Sequence, residues 1–472
     1  MESKISELFK AQTWSPQAVL HLRGTDEFNK ATERWNTHQA PTFAAVLSIG
    51  SEEDVSTAIK LVLSHRIPFL ATGSRHGYGS TLGEMRDGLA LDLSLLKDLN
   101  IDVRGETLIV GPGVRAGDVL NPVYEAGFQF PTGACNATSL IGVTLGGGIG
   151  RLNGEHGLMI DVLLSARIVI ATGQILDVSS TSNPDLFWAI RGAGQNFGIV
   201  TSATYKLFPL TGPYTSVDLI FPPNLKIDVF NWFANFEITA KWAVGCLIGY
   251  NNDIGSPYIL INIVHHGPEA ETLSHLTSLL DLGPIKMEVH EIPWNKVTET
   301  VVFGMDAAIS QPGEIRDVHG FNLRSRDAKT LIEVFDMACA FYDAVPTARS
   351  LTVLFEGWSN AAVKAVEEDE TAFPWRGTEV YGFIVGTWPE GDEEPKAASQ
   401  GMAKRLRATL AETSGYDGLA VYVNYAKGDE TLEQIYGAEK LPKLARLKGK
   451  YDPENIFRFH HAIPSAHPQK KV

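Results

Sequence analysis

Two hydrophobic patterns follow one another along the chain. Between residues 41 and 210, short apolar runs alternate with glycine-rich turns, which is typical of strands joined by tight connections. One segment differs: in SEEDVSTAIKLVLSH, apolar residues recur at helical spacing, and Ser51 or Glu52 is the predicted start of the helix. The pattern predicts strand–helix–strand units, and so an α+β domain of about 170 residues. The predicted strands are AAVLSI, IPFLA, GLALDLS, TLIVGPG, RIVIATG and GIVTSATYKLF.

The pattern changes near the segment TGPYTSVDLIFPP, at about residues 211–223, which we interpret as a domain boundary. Beyond it, strand-like runs (AVGCLIGY, PYILINIVHH, SLTVLFEGW and VYGFIVGTW) are separated by long helical runs. This alternation predicts a sheet with helices on one face. In the tail, GLAVYVNYA is predicted to be a strand, and the last six residues, HPQKKV, are expected to fray.

Composition excludes several classes of protein. The chain has 472 residues, of which 44% are hydrophobic, and this is ordinary for a globular protein of two or three domains rather than a disordered chain. Its net charge of −15 argues against a nucleic-acid-binding protein, which needs a basic surface. No apolar run is long enough to span a membrane, and the amino terminus lacks a signal-peptide pattern, so a cytoplasmic location is expected.

The sequence predicts neither a metal site nor a disulfide framework. The three cysteines lie far apart in the chain and are odd in number. The histidine pairs at 265–266 and 460–461 are adjacent residues, which point to opposite faces of a strand and rarely bind one metal. The chain also lacks GxGxxG, GxxxxGK[ST], HExxH and GxSxG motifs, so the common dinucleotide, phosphate, zinc and serine-hydrolase sites are not indicated.

Three glycine-rich segments carry the candidate chemistry. The first, Thr72–Ser80, follows a predicted strand and has the small residues of an anion-binding turn. The second, Pro131–Gly150, has five glycines among its last nine residues, which we interpret as backbone packed against a ligand. The third is Arg191–Val200. Each alone is equally consistent with ordinary turns, but three within 130 residues favour a binding site.

These segments resemble the FAD-binding domain of the vanillyl-alcohol-oxidase superfamily, and more narrowly its berberine-bridge-enzyme-like branch. The resemblance covers nearly the whole chain. It implies an α+β fold with a two-part, PCMH-type FAD-binding domain and an inserted substrate domain on an antiparallel sheet backed by helices. The implied limits are 1–212 (PCMH core about 38–210), 213–414 and 415–472, the last returning to the FAD domain. Further matching pieces are Gly111–Gly113, Gly157–Asp161, Asn183–Gly198, Tyr422–Tyr425 and Lys450–Phe457.

The resemblance also implies the cofactor and its contacts. His76 stands where the family joins a histidine to the flavin 8α-methyl group, and Cys135 where the branch joins a cysteine to flavin C6. Imidazole and thiolate are suitable nucleophiles for such bonds. The other implied cofactor-binding residues are Thr72, Gly73, Ser74, Arg75, Gly77, Tyr78, Gly79, Gly133, Thr138, Gly142, Gly146, Gly147, Gly150, Gly157, Asp161, Gly198, Val200, Tyr422 and Asn424.

Two positions depart from the family pattern. Ser74 and Arg75 stand where two glycines usually precede the histidine, and Arg75 would add a positive charge near the diphosphate. Thr138 replaces the usual valine or larger apolar residue beside the flavin face where the branch admits or blocks oxygen. Because threonine has the shape of valine, space for oxygen should remain, which favours an oxidase over a dehydrogenase.

The implied catalytic base is Tyr425, the second tyrosine of Tyr-x-Asn-Tyr. A phenol with a pKa near about 10 needs a helper at neutral pH. Candidate helpers are Lys427 and residues of the inserted sheet: Glu356, Tyr381 and His319. Glu356 is also an alternative carboxylate base, and Trp375, where relatives often have histidine, is expected to shape the pocket. In a strand, Val423 and Tyr425 would share one face, and Tyr422 and Asn424 the other.

The sequence therefore predicts an FAD-dependent oxidase. It would transfer a hydride from a specialised-metabolite alcohol to flavin N5 and then reduce O₂ to H₂O₂, with oxidative cyclisation as a variant. Alternatives are a mono- or oligosaccharide oxidase that forms a lactone, a cyclase with a structural flavin, and a dehydrogenase. The expected partners are a small-molecule substrate and O₂, without nucleic acid or membrane, in a monomer or homodimer.

Overall fold

A computed structural model describes residues 1–466, so the predicted fraying of the last six residues lies outside the described part. The helices are α1 Glu2–Lys10, α2 Asp26–Thr32, α3 Glu52–His65, α4 Ala116–Glu125, α5 Leu140–Thr144, α6 Asn153–His156, α7 Pro184–Ala193, α8 Lys226–Asn235, α9 Glu269–His275, α10 Thr277–Leu280, α11 Val297–Gly304, α12 Asp306–Ile309, α13 Ala328–Ala344, α14 Ala361–Lys364, α15 Glu393–Glu412, α16 Leu432–Tyr436 and α17 Leu441–Tyr451. The strands are β1 Val19–Leu22, β2 Phe43–Ser48, β3 Phe69–Thr72, β4 Gly88–Asp92, β5 Leu99–Asp102, β6 Thr107–Val110, β7 Phe128–Gln129, β8 Leu163–Val169, β9 Ile175–Ser179, β10 Ile199–Lys206, β11 Phe208–Pro209, β12 Tyr214–Phe221, β13 Trp242–Asn251, β14 Ser256–His265, β15 Lys286–Ile292, β16 Asp317–Leu323, β17 Thr352–Trp358 and β18 Val380–Gly386.

The amino-terminal part contains two main sheets. One has the order β1-β2-β4-β3, in which β4 runs parallel to both β2 and β3. Helix α3 connects β2 to β3, and Ser51 caps it by accepting a hydrogen bond from the Asp54 N–H, as predicted. Its apolar face, with Val55, Ile59 and Val62, is buried against this sheet. The other sheet is antiparallel, in the order β5-β6-β10-β8-β9.

A third, seven-stranded sheet is built from residues 214–386. Its order is β15-β12-β14-β13-β17-β18-β16, and every neighbouring pair is antiparallel. Helices α8, α13 and α15 pack on one face and share an apolar core with its strands. Each fully buried large apolar side chain there contributes about 1.5–3 kcal/mol of burial free energy. The fold confirms the predicted α+β class and the antiparallel sheet backed by helices.

The segment interpreted as a domain boundary contains β12, the first strand of the large sheet along the chain. One prediction from local pattern needs correction. The predicted strand GLAVYVNYA is wrong, because residues 423–425 form a 3₁₀ turn. Its backbone bonds go elsewhere: the Val421 N–H donates to the Gln434 carbonyl, and the Tyr422 N–H to the Asn322 side chain. The domain limits given above stay a prediction.

Within residues 1–466, none of the helices combines the length and the apolar character that a membrane-spanning segment requires.

Candidate active site

The loop after β3 presents a row of free backbone donors. The N–H groups of residues 74–79 have no hydrogen-bond partner among the described residues. Arg75 adopts a left-handed φ of 61°, and Gly77 is exposed. A left-handed residue within such a row is a component of the concave nests that bind anions. The geometry of this loop is suited to a phosphate-bearing group.

Four positive charges surround the imidazole of His76. They are the guanidinium groups of Arg115, Arg316, Arg34 and Arg75. Burial, together with these charges, lowers the pKa of His76 to about 4. The imidazole is therefore neutral at physiological pH, which is its nucleophilic form. The same guanidinium groups are good partners for a diphosphate.

A second loop lies directly beside the first. The Ser139 N–H donates to Ser74 Oγ over 2.7 Å, and residues 134–139 are only partly buried. In this loop, Cys135 Sγ lies 3.4 Å from Ser310 Oγ. Burial raises the pKa of the Cys135 thiol above its ordinary value, and the contact with Ser310 partly offsets this. The two predicted tether positions thus lie on adjoining loops, each with a nucleophilic atom that makes no strong internal bond.

The Thr138 hydroxyl is bound within its own turn. It donates to the Cys135 carbonyl over 2.9 Å. The hydroxyl is therefore satisfied locally, as a buried polar group requires. The expectation that this position admits oxygen as valine does stays a prediction.

The glycine run at 146–150 has a different explanation from the predicted one. A Cβ added to Gly146 would lie 2.2 Å from Asn424 Oδ1, and one at Gly150 would lie 1.9 Å from the Thr132 carbonyl oxygen. Gly147 and Gly148 are similarly blocked by Phe373 and Met159. Since a real Cβ cannot approach so closely, contact with other protein segments explains the need for these glycines. The part that resembles a ligand cradle lies at 74–79 and 134–142 instead.

Several other predicted cofactor ligands are engaged within the protein. Asp161 forms a buried two-bond ion pair with Arg376, at 2.8 and 3.1 Å, and accepts a hydrogen bond from the Leu158 N–H. The Tyr422 hydroxyl accepts from the Gly148 N–H, and the Asn424 amide donates to the Val143 carbonyl. Three more of the predicted cofactor-binding residues pack inside the amino-terminal part. Gly157 packs against Asp161, Gly198 against the Val169 carbonyl, and Val200 lies within β10. Their geometry assigns them to packing, and the prediction that they touch the cofactor gains no support.

Tyr425, from the turn in the tail, forms a short polar pair with Glu356 of β17 in the large sheet. The Tyr425 hydroxyl donates to Glu356 Oε2 over 2.6 Å. Burial raises the pKa of Glu356 to about 7, although Tyr425 and Arg151 lower it somewhat. Burial, and then the negative charge of Glu356, raises the pKa of Tyr425 well above its ordinary value. A tyrosinate is thus disfavoured, while Glu356 can gain or lose a proton near neutral pH.

Glu356 belongs to a polar row that crosses the sheet. At one register the strands β12, β14, β13, β17, β18 and β16 place Asp218, Asn262, Gly245, Glu356, Tyr381 and Asn322 side by side. The Asn262 amide donates to Asp218 Oδ1 over 2.7 Å. Sequence reasoning found Glu356 and Tyr381 but missed Asp218 and Asn262. The available signal was one polar residue inside an apolar run, Asp218 in VDLIF and Asn262 in ILINIV.

Arg151 is the cation that faces this row, and the sequence analysis missed it too. It follows the glycine run directly, and its guanidinium lies 5.9 Å from the centroid of the Trp358 ring. Burial lowers its pKa, while the negative charges of Glu356 and Asp218 act in the opposite direction. Its influence on Glu356 makes it part of the electrostatics of the site.

The other proposed helpers of Tyr425 are placed elsewhere. His319 alternates with Gly320 along β16, and Gly320 is the residue that packs against the Tyr425 backbone. Lys427 Nζ contacts His319 Nε2 at 2.9 Å and pairs with Asp317. The Tyr381 hydroxyl donates to the Trp375 carbonyl over 3.3 Å. Of the four candidates, Glu356 alone has a hydrogen bond to the Tyr425 hydroxyl.

Trp375 connects two segments of the carboxy-terminal tail. Its indole N–H is shared between the Val421 and Ile435 carbonyls, both at 2.9 Å. This holds the extended segment before Tyr422 against α16. Among residues 1–466, no cluster of three or more histidine, cysteine, aspartate or glutamate side chains could hold a metal ion.

Comparison with known proteins assigns the chain to a family. A model described as an FAD binding domain matches residues 43–179, and one described as berberine and berberine like matches residues 421–464. The chain is 46% identical to the FAD-linked oxidoreductase OXR1 of Pyricularia oryzae over 457 residues, covering 96% of this chain and 90% of the relative. The chain belongs to the berberine-bridge-enzyme-like family of FAD-linked oxidoreductases. It is therefore an oxidoreductase.

Other relatives agree with this assignment. The chain is 42% identical to the FAD-linked oxidoreductase srdI of Neurospora crassa over 455 residues, covering 96% of this chain and 91% of the relative. The fold matches BBE-like 1 of Physcomitrella patens with a TM-score of 0.85, 21% identity and coverage of 99% and 100%. It also matches a xylooligosaccharide oxidase of Myceliophthora thermophila with a TM-score of 0.81, 23% identity and coverage of 98% and 99%.

The residues of this FAD-linked oxidoreductase fit an FAD. The free N–H groups of 74–79 and the nearby guanidinium groups match a diphosphate in charge and hydrogen bonding. The hydroxyl of Tyr78, in the same loop, is buried without a partner among the described residues, as is Gln195 Oε1. Buried polar atoms of this kind are normally satisfied, so a polar ligand is the expected partner.

Proposed function

We propose that this enzyme is an FAD-linked oxidase that oxidises an alcohol group of a small metabolite and uses Tyr425 and Glu356 as a joint base. The observation that carries the proposal is the 2.6 Å hydrogen bond from the Tyr425 hydroxyl to a buried Glu356 carboxylate. Such a pair can take a proton without ever forming a free tyrosinate. This accords with the raised pKa of Tyr425 and the pKa near 7 of Glu356.

The proton follows a two-step route through the protein. The substrate hydroxyl donates to Tyr425 Oη while the Tyr425 proton moves to Glu356 Oε2. When bound, FAD would supply the hydride acceptor for the substrate carbon that carries the hydroxyl, and O₂ would take up the two electrons with two protons as H₂O₂. Glu356 then returns its proton through Tyr425 or to solvent. This assignment requires Glu356 to be ionised in the free enzyme.

The aromatic residues near the base bear on the substrate class. The Phe383 ring meets the Tyr425 ring edge to face at a centroid distance of 5.1 Å. Trp358, at the end of the strand that carries Glu356, lies beside Arg151. Apolar rings around a single proton acceptor favour a substrate with an apolar or aromatic body and one reacting alcohol. An oligosaccharide would need several hydrogen-bond partners, and in the polar row Asp218 and Asn262 are already bound to each other.

We further propose that His76 and Cys135 tether the FAD through its 8α-methyl group and its C6 atom. Support comes from the neutral imidazole, which has no hydrogen bond to a described residue, and from the thiol on the adjoining loop. The test is acid precipitation of the purified enzyme, followed by mass analysis of its peptides. We expect one flavin to join the peptides that contain His76 and Cys135. Flavin released into the supernatant would contradict the tethers and favour a dehydrogenase or a structural flavin.

The oxidase activity is tested separately, by screening for substrate-dependent peroxide. We expect H₂O₂ from benzylic or allylic alcohols and none from xylobiose or chitobiose. Peroxide from the sugars alone would establish the lactone-forming alternative. Turnover at an unchanged rate without oxygen, and without peroxide, would establish a redox-neutral cyclase. Reduction of dyes with slow peroxide release would identify a dehydrogenase.

The influence of Arg151 on Glu356 leads to a pH prediction. Replacing Arg151 by methionine removes a positive charge that lowers the pKa of Glu356, so this pKa should rise. Because the proposal requires the ionised carboxylate, the acid limb of kcat/KM should move to higher pH by the same amount. Stopped-flow flavin reduction across pH measures this shift.

The matched control is Arg446→Met, at an exposed arginine on α17. It should leave the acid limb in place. If the acid limb of kcat/KM does not move in Arg151→Met, Arg151 does not act on the group whose ionisation sets that limb.

A further inference from the structure

Trp35 lies between the two proposed tether positions. Its indole ring stacks on the His76 imidazole with a centroid distance of 5.6 Å and an interplanar angle of 16°. The guanidinium of Arg316 lies 4.3 Å from the centroid of the same indole. Stacking and cation–π contacts of this kind favour one orientation of the rings involved. The orientation of the His76 imidazole therefore depends on Trp35.

The indole nitrogen of Trp35 contacts the segment that lies beside Cys135. The indole Nε1–H donates to the Ile309 carbonyl over 2.7 Å. The next residue, Ser310, contacts Cys135 Sγ at 3.4 Å. In the same segment, Asp306 accepts a hydrogen bond from the Asn136 N–H over 3.2 Å. One side chain therefore touches the histidine directly and reaches the cysteine through two consecutive residues, Ile309 and Ser310.

The backbone around Trp35 is firmly held. The Gly313 N–H donates to the Arg34 carbonyl, and the Thr37 N–H donates to the Glu314 carbonyl. The Asn36 side chain accepts from the Arg316 N–H over 2.8 Å. Residues 34–37 are thereby joined to residues 313–316, which lead into β16 of the large sheet. These hydrogen bonds fix the Trp35 backbone to the segment before β16, while the Trp35 indole contacts the histidine loop.

We propose that Trp35 is the positioning residue for both flavin tethers, fixing the His76 ring directly and the Cys135 thiol through Ile309 and Ser310. This rests on the proposed bicovalent FAD. Each tether replaces one hydrogen on the protein atom and one on the flavin carbon by a new bond. The two electrons released reduce the flavin itself, and O₂ takes them up, with two protons, as H₂O₂. Trp35 takes no part in that exchange and acts only by holding the two nucleophiles in place.

Two substitutions at Trp35 separate its two contacts. Trp35→Phe keeps a ring that can stack on His76 but loses the donor to Ile309, so the flavin bond to Cys135 should decline while the bond to His76 persists. Trp35→Leu loses both contacts, and both bonds should form about tenfold more slowly, the effect of about 1.4 kcal/mol. The measurement is the fraction of His76 and Cys135 peptides that carry flavin, followed by mass spectrometry after FAD is added to apoprotein.

Trp14 offers a matched control. It also stacks on an aromatic ring, that of Phe9 at 5.1 Å, and its indole N–H also donates to a carbonyl, Phe9 O at 2.8 Å. Trp14→Leu should leave both flavin bonds at the wild-type rate. Ser310→Ala should slow only the bond to Cys135. Thermal melting of each apoprotein checks that the fold is kept.

The outcomes distinguish the two proposals. If the wild-type enzyme carries no covalent flavin, the bicovalent site of the proposed function is wrong, and the role of Trp35 is wrong with it. If the wild type carries both bonds and Trp35→Leu forms them equally fast, only the positioning role is overturned. Equal slowing of both bonds in Trp35→Phe and Trp35→Leu would overturn the separate action of the two contacts.

Discussion

Replacing Tyr425 by phenylalanine should reduce the rate of flavin reduction by about 10²–10³-fold, because the substrate proton would lose its first acceptor. In the proposed mechanism the buried Glu356 carboxylate acts only through the Tyr425 hydroxyl, to which it is hydrogen-bonded, so it cannot substitute directly. The rate is measured under anaerobic conditions with the best substrate of the peroxide screen. Tyr205→Phe is the matched control, because it removes another buried hydroxyl, one bound to Thr144.

The companion variant Glu356→Gln tests the second half of the pair. Glutamine keeps the size and can still accept from Tyr425, but it cannot take up the proton. In the wild type, activity should fall as pH drops through about 7, because Glu356 becomes protonated. In Glu356→Gln the rate should be lower by about 10²-fold and this acid limb should vanish. Full turnover in Tyr425→Phe, or an unchanged acid limb in Glu356→Gln, would remove the joint base.

The second large effect concerns stability. Asp161→Asn should lower the free energy of unfolding by about 3–5 kcal/mol, because it leaves the buried Arg376 guanidinium without its counter-charge. Both side chains are almost completely buried, and the pair has two hydrogen bonds. Denaturant unfolding of the flavin-loaded enzyme measures the loss.

Two controls accompany this measurement. In the double variant Asp161→Asn/Arg376→Met, the isolated charge is gone, so part of the stability should return. The exposed pair of Lys226 and Asp336 gives the comparison at the surface, where Asp336→Asn should cost less than about 1 kcal/mol. Equal effects of Asp161→Asn and Asp336→Asn would refute the buried-charge explanation.

Much of the fold could be predicted because local pattern and tertiary environment agree. The run from Ser51 has a capping residue and a helical apolar stripe, and α3 forms where both indicate. The tail shows the opposite case. The aromatic and β-branched residues of GLAVYVNYA favour a strand, but the turn at 423–425 brings the rings of Tyr422 and Tyr425 to 5.1 Å from each other. Tertiary contacts determine the conformation of this segment, so a prediction from strand propensity alone was wrong.

The candidate site divides along the same line. The histidine loop and the cysteine loop are each a single uninterrupted segment of the chain, so motif resemblance could locate them. Arg151, Asp218 and Asn262 come from separate segments, and only the strand register brings the last two level with Glu356. Trp35 was also missed, because its partners lie about 40 and 275 residues away in the chain. Pairing of this kind leaves no local pattern.

The polar row has a consequence for how such an enzyme could acquire new substrates. Each strand of the sheet contributes one residue at the register of Glu356. The backbone hydrogen bonds between the strands do not depend on which side chain stands there. Gly245, next to Glu356 in the row, would have its nearest neighbour 3.7 Å from an added Cβ, so a side chain fits there without strain. Substrate preference could therefore diverge by single exchanges, one strand at a time, while the proton acceptor and the flavin loops stay unchanged.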